Sequence, residues 1–416
     1  MRRGDRIAGL PSATVAAICL IARAAGAISG DLRGYVKDYP ATWRQRNGPI
    51  AGSVARAWYN STRGRVASRL MAGRHLTLAA DYDGRLVFAT GADTAFGLIP
   101  AAGGTGFVDL TRTPINEEHA QLVQTLDRLY AQWYSRRVVA TVGRQRIAWG
   151  VATWFSPLDR FAPFAPAEID KEEKAGVDAA DLSIPLGALS NVEAVWSGQR
   201  RTGLPGIAAG GILQNLGARF RTTRGAWDIT LVGGWFAGAD AAGGSLAGSI
   251  GGIGIHGEAL ASHGGVRRTL IEARPGPDDT LRLREVRGDF VRATVGADYG
   301  FGWHNLTVAG EAYHDGSGAA DKSRYDWTGL ATGRRVGLAR WYAALSASLQ
   351  VTPLFTVTLP VLANLDEPAL LVMPMAEYSV GENLDVRAGI DLSTGGAGSE
   401  YGAVKELYYA IIAWYF

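Results

Sequence analysis

The sequence predicts an all-β protein, a transmembrane antiparallel up-and-down β-barrel of about 18 strands, the kind with short periplasmic turns and long extracellular loops. Three observations predict it. Segments of roughly ten residues alternate apolar and polar side chains and carry aromatics at their ends, the pattern of a strand that faces lipid on one side. No run of about 18 apolar residues in the body of the chain supplies a spanning helix. The chain is also 47% hydrophobic and only 19% charged, against about 25% charged for a soluble domain. Lipid offers no hydrogen bonds, so a sheet crosses it only when closed, with its N–H and C=O groups paired between strands.

The N-terminus, MRRGDRIAGLPSATVAAICLIARAAGAISG, reads as a secretory signal peptide over 1–27. Arg2, Arg3 and Arg6 make a basic start, Ala8 to Ala22 a small and apolar run, and Ala25-Gly26-Ala27 a cleavage site. The barrel is expected over 28–416. Cys19, the one cysteine of the chain, lies inside the leader. Ile18 before it is a poor fit to a lipid-attachment site. The mature chain is then exported without a disulfide. A net charge of +3 is too small to imply nucleic acid.

The alternation is plainest at the end, where Tyr408, Ala410, Ile412, Trp414 and Phe416 fall on one face. It recurs at Trp227 to Trp235, Val291 to Tyr299, Trp341 to Leu349 and Leu384 to Leu392. Strands are placed near 30–38, 63–80, 85–91, 124–135, 137–149, 178–185, 190–198, 210–222, 226–237, 248–260, 266–274, 287–299, 303–314, 338–350, 354–363, 369–380, 383–393 and 404–416. Short connections read DYDG, SRR, TTRG, YGFG, VTPL and GEN. Longer ones cover 39–62, 92–123, 150–177, 275–286 and 315–337. An even count with both ends on the short-turn side suits an outer-membrane barrel. The first strand, the 63–80 region and the Gly-rich 248–274 stretch alternate most weakly, and 16 is the alternative count. No side of the barrel stands out as less lipid-like.

Projecting the alternation inward gives the lumen. Its basic residues are Arg65, Arg69, Arg85, Arg128, Arg219, Arg221, Arg292, Arg340 and Arg387. Its acidic ones are Glu193, Asp228, Asp298, Glu311, Asp385 and Asp391. The slight basic excess gives an expectation of preference for anionic solutes. The competing reading, favoured on the residues alone, is a ladder of charge pairs that stiffens the wall. The long loop 150–177 carries Pro157, Pro163 and Pro166, apolar Phe155, Phe161 and Phe164, and a charged cluster. Its constriction candidates are Phe155, Asp159, Arg160, Glu168, Asp170, Glu172 and Glu173. A loop of this length is usually functional or disordered. It either folds into the bore and narrows it or packs outside.

Two stretches carry a resemblance. The ending on Phe416, with apolar Tyr408, Ile412 and Trp414 at every second position, resembles that of outer-membrane proteins. The resemblance implies reading by the barrel-assembly machinery. The run Gly143-Arg144-Gln145, Ile147, Trp149-Gly150, Ser156-Pro157, Asp159 and Gly176-Val177-Asp178 resembles a segment of proteobacterial outer-membrane barrels of porin-like and alginate-export-like type. It covers about a tenth of the chain. Alginate exporters are similar to 18-stranded barrels with an Arg-lined lumen. The resemblance implies the barrel class, not a solute.

Catalytic and cofactor chemistry is thin. His75, His119, His256, His263, His304 and His314 have no metal-ligand spacing, so no metal or cofactor is expected. His314, Asp315 and Ser317 read as a turn rather than a hydrolytic trio. GGSLAGSIGGIGIHG lacks the Lys-Ser/Thr of a phosphate loop. No plug-like domain precedes the barrel. The expectation is a non-enzymatic channel for small hydrophilic solutes in the bacterial outer membrane, with lipid and the assembly machinery as partners. The alternatives are an exporter of an anionic polysaccharide and a scaffold barrel around a periplasmic or lipoprotein partner.

Overall fold

The computed structural model describes residues 28–45, 56–90, 106–201, 203–204, 207, 210–274, 280–396, 398–402 and 404–416. The leader read over 1–27 lies outside these residues. One antiparallel sheet of twenty strands closes on itself. It opens with β1 (Ile28–Gln45), β2 (Ala57–Ala72) and β3 (Leu76–Thr90), then β4 (Thr111–Asn116), β5 (Ala120–Tyr134) and the short β6 (Val139–Gln145). It continues through β7 (Val177–Pro185), β8 (Ser190–Arg200), β9 (Ile212–Arg224), β10 (Trp227–Phe236) and β11 (Ala239–Ile250). The long hairpin of β12 (Ile253–Arg274) and β13 (Thr280–Gly300) follows, then β14 (Thr307–Asp315), β15 (Trp341–Thr352) and β16 (Phe355–Asn364). It ends with β17 (Ala369–Val372), β18 (Met375–Gly381), β19 (Leu384–Ser393) and β20 (Val404–Tyr415).

Eighteen of these make the wall, since β17 and β18 are halves of one strand and β4 is a patch. The break between the halves falls at Met373-Pro374, where proline has no N–H for the ladder. Met373 N–H still reaches Pro360 O at 2.9 Å, and Pro374 O accepts from Ile390 N at 3.0 Å, so the sheet runs on. The patch answers a gap. β6 leaves the wall at Gln145 while β5 and β8 continue upward. β4 takes the vacated edge of β5, from Thr111 opposite Thr125 to Asn116 opposite Gln121, and Gly106 bridges to Gln199.

The seam pairs β1 with β20, from Tyr35 opposite Tyr415 to Trp43 opposite Leu407. Gly34 and Phe416 exchange both backbone bonds, at 2.9 and 3.0 Å. The outer face is apolar: Leu231, Val295 and Leu345 expose 57%, 60% and 55% of their surface. The inner face of the same strands carries the polar partners.

Four placements differ from the sequence expectation. DYDG is no turn: residues 81–84 lie inside β3, where Asp81 and Asp83 pair with the arginines of β2. The chain reverses instead at Gly73-Arg74-His75, with Gly73 at φ +65°. Within the stretch 39–62, residues 39–45 and 57–62 are strand; polar residues on both faces of β1 and β2 hide the alternation there. The Gly/Ala-rich 239–247 is strand too, so the β11–β12 turn is at Gly251-Gly252. Arg340, expected in the lumen, precedes β15 and stays exposed at the rim; Asp366 accepts its backbone N–H at 2.7 Å.

A Cβ on Gly34 would lie 2.3 Å from Arg65 O and 2.6 Å from the Phe416 ring, whereas one on Gly233 would meet nothing. Gly34→Val should therefore lower the temperature at which the barrel loses its heat-resistant gel mobility. Gly233→Val should leave that temperature unchanged.

Candidate functional site

The segment 146–176 leaves β6 and returns at β7, and it crosses the bore. Gly143 starts the departure at φ +123°. A Cβ there would sit 2.2 Å from Leu129 O, so only glycine fits. Arg144 then donates to Asp178 through Nε at 2.7 Å and Nη2 at 2.9 Å, and to Val108 O at 2.6 Å. Gln145 Nε2 donates to Ala179 O at 3.2 Å. The two ends of the loop are thus clamped at its root.

Two wall carboxylates hold the next turn. Glu258 on β12 accepts from Ala152 N at 2.8 Å, Val151 N at 3.3 Å, Ser156 Oγ at 3.1 Å and Leu158 N at 3.2 Å. Glu311 on β14 accepts from Thr153 N and Trp154 N, and His256 Nε2 lies 3.0 Å from it. These backbone groups have no strand partner, and an unpaired buried N–H is costly. Between the carboxylates, Phe155 stacks on Tyr313 at 4.8 Å and on Tyr342 at 4.9 Å. Trp149 is buried against Phe161, at 4.8 Å and edge-on, and donates to Glu193 at 3.0 Å. Gly150 leaves room for Ser156, whose Oγ would be 1.8 Å from a Cβ.

The far part of the loop reaches the opposite wall. Asp159 pairs with Lys174 within the loop, and Lys174 O accepts from Arg128. Gly176 N donates to Asp127 at 3.0 Å. Asp127 is the extra residue of a bulge in β5, which lets it and Arg128 both point inward. Asp170 receives Lys37 Nζ at 2.9 Å, with Arg63 at 3.8 Å. Glu172 accepts from Tyr415 Oη at 3.1 Å and pairs with Lys37. Glu173 lies 3.6 Å from Arg65. A segment that binds β12 and β14 at one end and β1, β2 and β20 at the other spans the lumen.

Of the lumen residues expected from alternation, most face inward and are paired. Arg65 donates to Asp81 and Asp127, both at 2.9 Å, and Arg69 also pairs with Asp81. Arg219 pairs with Glu193, Arg292 with Asp315 at 3.1 Å, and Arg387 donates to Glu377 at 2.8 Å. Arg85, Arg221, Asp228, Asp298, Asp385 and Asp391 face the lumen with no ion pair among the described residues. Asp228, Asp298 and Asp385 sit near the short-turn ends of their strands, while Arg85 is within electrostatic reach of the loop residue Glu168.

Arg160 has no ion pair among the described residues either, and it lies within electrostatic reach of Arg292. Burial first, and then Arg292, press its pKa down to about 10. Burial raises Glu168 and lowers Lys171. Burial would also raise Asp170, but Lys37 and Arg63 hold it below the usual range. His314 stacks outside on Trp341 at 4.3 Å, whereas Asp315 and Ser317 bind each other and Arg292 inside. That trio is therefore split across the wall.

Alternation marked the charged wall residues but missed Glu258 as an anchor. A second inward loop was missed as well. The segment 316–340 carries a short helix, Trp327–Ala331, and buries Leu338 and Ala339 against Phe155 and Tyr342. Glu400, from the loop before β20, accepts from Leu338 N at 3.0 Å, Tyr342 Oη at 2.7 Å and Asn364 Nδ2 at 2.9 Å. Glu367 stands beside it and accepts from Glu400 N at 2.8 Å.

Two outcomes follow from this geometry. Glu258→Ala with Glu311→Ala should free the turn 150–158 and raise single-channel conductance at least twofold in planar bilayers. Burial pushes Glu400 from an ordinary 4.5 up to about 7. A raised carboxyl stabilises the folded loop most below 4.5, and that contribution is lost as pH rises through 7. Current noise from the 316–340 loop should grow between about pH 6 and pH 8, and Glu400→Gln should remove the change.

No family model matches the chain, and no curated protein matches it. Solved structures do. OccAB1 of Acinetobacter baumannii is 10% identical, with 94% of this chain and 96% of that one covered at a TM-score of 0.57. OccK9 (OpdG) of Pseudomonas aeruginosa is 11% identical over 93% and 98%, at 0.56. OpdK of Pseudomonas aeruginosa is 10% identical over 93% and 98%, at 0.51. The chain has the fold of these structures, here a closed antiparallel barrel of 18 strands.

Proposed function

We propose that this protein is a diffusion channel of the bacterial outer membrane for small hydrophilic solutes, with a preference for anions. The observation that carries the reading is the loop 146–176, bonded from wall to wall inside a closed barrel. A wall alone would give a wide pore; a strapped loop makes a narrow one whose side chains meet the solute. At that level Arg85 and Arg160 have no ion-pair partner among the described residues, and Arg160 is partly desolvated beside Arg292. A guanidinium in that setting gains from an anion that enters. Of the unpaired carboxylates, Asp228 and Asp298 lie near the short turns, whereas Asp391 stands nearer the loop, by Tyr39 and Tyr409; the narrowest level decides selectivity.

The OpdK structure holds vanillate, a carboxylate. That supports an anionic solute for a chain of the same fold. The loop also weighs against the scaffold alternative, which needs a wide bore clear of its own chain. The same geometry supports a transport role rather than an enzymatic one, with Asp315 and Ser317 used to bind Arg292.

Reversal potentials across a salt gradient test this reading. The wild-type channel should favour chloride over potassium, and Arg85→Gln with Arg160→Gln should cut that ratio at least threefold while conductance persists. A cation preference in the wild type would contradict the reading. So would a ratio unmoved by the double substitution.

A further inference from the structure

On one side of the barrel the lipid-facing surface carries polar side chains well inside the apolar belt. On β1 and β2, Asp38 points away from the lumen, opposite Thr62, whose Oγ1 donates to it at 2.8 Å. Its lumen-facing neighbours Lys37 and Tyr39 fix that direction by alternation. Asp38 pairs in register with Ile412, midway along β20 between outward Tyr408 and outward Phe416. Tyr408 and Phe416 mark the two aromatic edges of the lipid belt there. The carboxylate therefore lies near mid-depth, where ionisable groups are rare and marked by function. Asn60, also outward, has a buried Oδ1 without a hydrogen-bond partner. Tyr82 on β3 faces the same way, opposite Val66 and four residue pairs below Thr62.

Acyl chains can satisfy none of these groups. We infer that this patch on β1 to β3 is an interface with a second copy of the same chain. The occupant follows from the chemistry of the patch. It holds an acceptor, in the Asp38 carboxylate, and donors, in the Asn60 amide and the Tyr82 hydroxyl, along one face. A surface that carries both halves of its own hydrogen-bond set is self-complementary, as an isologous contact requires. The patch also admits close approach. Gly64 lies on the same face between Asp38 and Tyr82, and a Cβ on it would meet nothing within 4 Å, while the Tyr82 ring lies over its register partner Gly84. The expected sequence pattern hid this surface, because 39–62 reads as a loop.

Cross-linking in native outer membranes tests the inference. In a Cys19→Ser background, Thr62→Cys should give a disulfide-linked species of twice the chain mass on mild oxidation. Val295→Cys, outward on the apolar wall of β13, should give at least tenfold less. Asp38→Leu should lower the dimer fraction of the detergent-extracted protein by mass photometry, with its heat-resistant gel mobility retained. Equal linkage at Thr62→Cys and Val295→Cys would overturn the inference. A linked species of another mass would also do so. If Asp38→Leu raised the barrel's unfolding temperature without changing the dimer fraction, the patch would be a lipid contact.

Discussion

A backbone that meets lipid must find all its hydrogen-bond partners within the protein, and every unusual element of this chain is a response to that demand. The seam is closed to its last residue, with Phe416 exchanging bonds with Gly34. Where β6 turns into the bore, the edge it abandons on β5 does not stay open; β4 covers it, and Gly106 bridges to Gln199 on β8. Where Pro374 interrupts a strand, the neighbours bond around it. An open edge at membrane depth has no other source of relief.

Inside the bore the same demand takes a different form. A loop in the lumen has N–H groups without a strand to receive them. Here two carboxylates of the wall receive them, Glu258 and Glu311, so that a few side-chain oxygens stand in for a ladder. Aromatic rings fix the rest: Trp149 and Phe155 pack on the inner wall as core residues of a soluble domain would. At the opposite wall the loop ends its crossing in salt bridges to Lys37, Arg63 and Arg65. Those arginines are shared with Asp81, Asp83 and Asp127, so loop and wall draw on one charge network. Six of the nine arginines that alternation places in the lumen hold carboxylates, Arg65, Arg69 and Arg128 within this network and Arg219, Arg292 and Arg387 outside it. In the proposed channel, selectivity then falls to arginines without such a pair.

The barrel was legible because alternation is imposed by lipid on one face alone, and Tyr408 to Phe416 or Val291 to Tyr299 obey it without exception. The strand number was legible too, though two turns were displaced. Asp81 and Asp83 imitate turn residues because wall charges and turn charges are the same amino acids; only their partners on β2 tell them apart. Gly243 and Gly244 hid a strand because small residues weaken the alternation. The ends of the loop were legible as a motif, Gly143-Arg144-Gln145 and Gly176-Val177-Asp178, whose Arg144–Asp178 pair closes its root. The anchors were not. Glu258 sits on a strand about 100 residues away from the turn it holds, and nothing in its neighbourhood announces a partner at that distance. The outward Asp38 was illegible for the same reason that 39–62 looked like a loop: a polar residue on both faces of a strand erases the period.

The account depends most on ionic current passing beside the loop within the bore. Its most direct test is a bilayer recording of Ala167→Cys, in a Cys19→Ser background, while a bulky thiol reagent is added on the long-loop side. Ala167 is exposed, on the part of the loop between Phe164 and Glu168. The account predicts stepwise and lasting loss of most of the current, reversed by a reducing agent. Complete labelling with the current unchanged would place the loop outside the conducting path and contradict it.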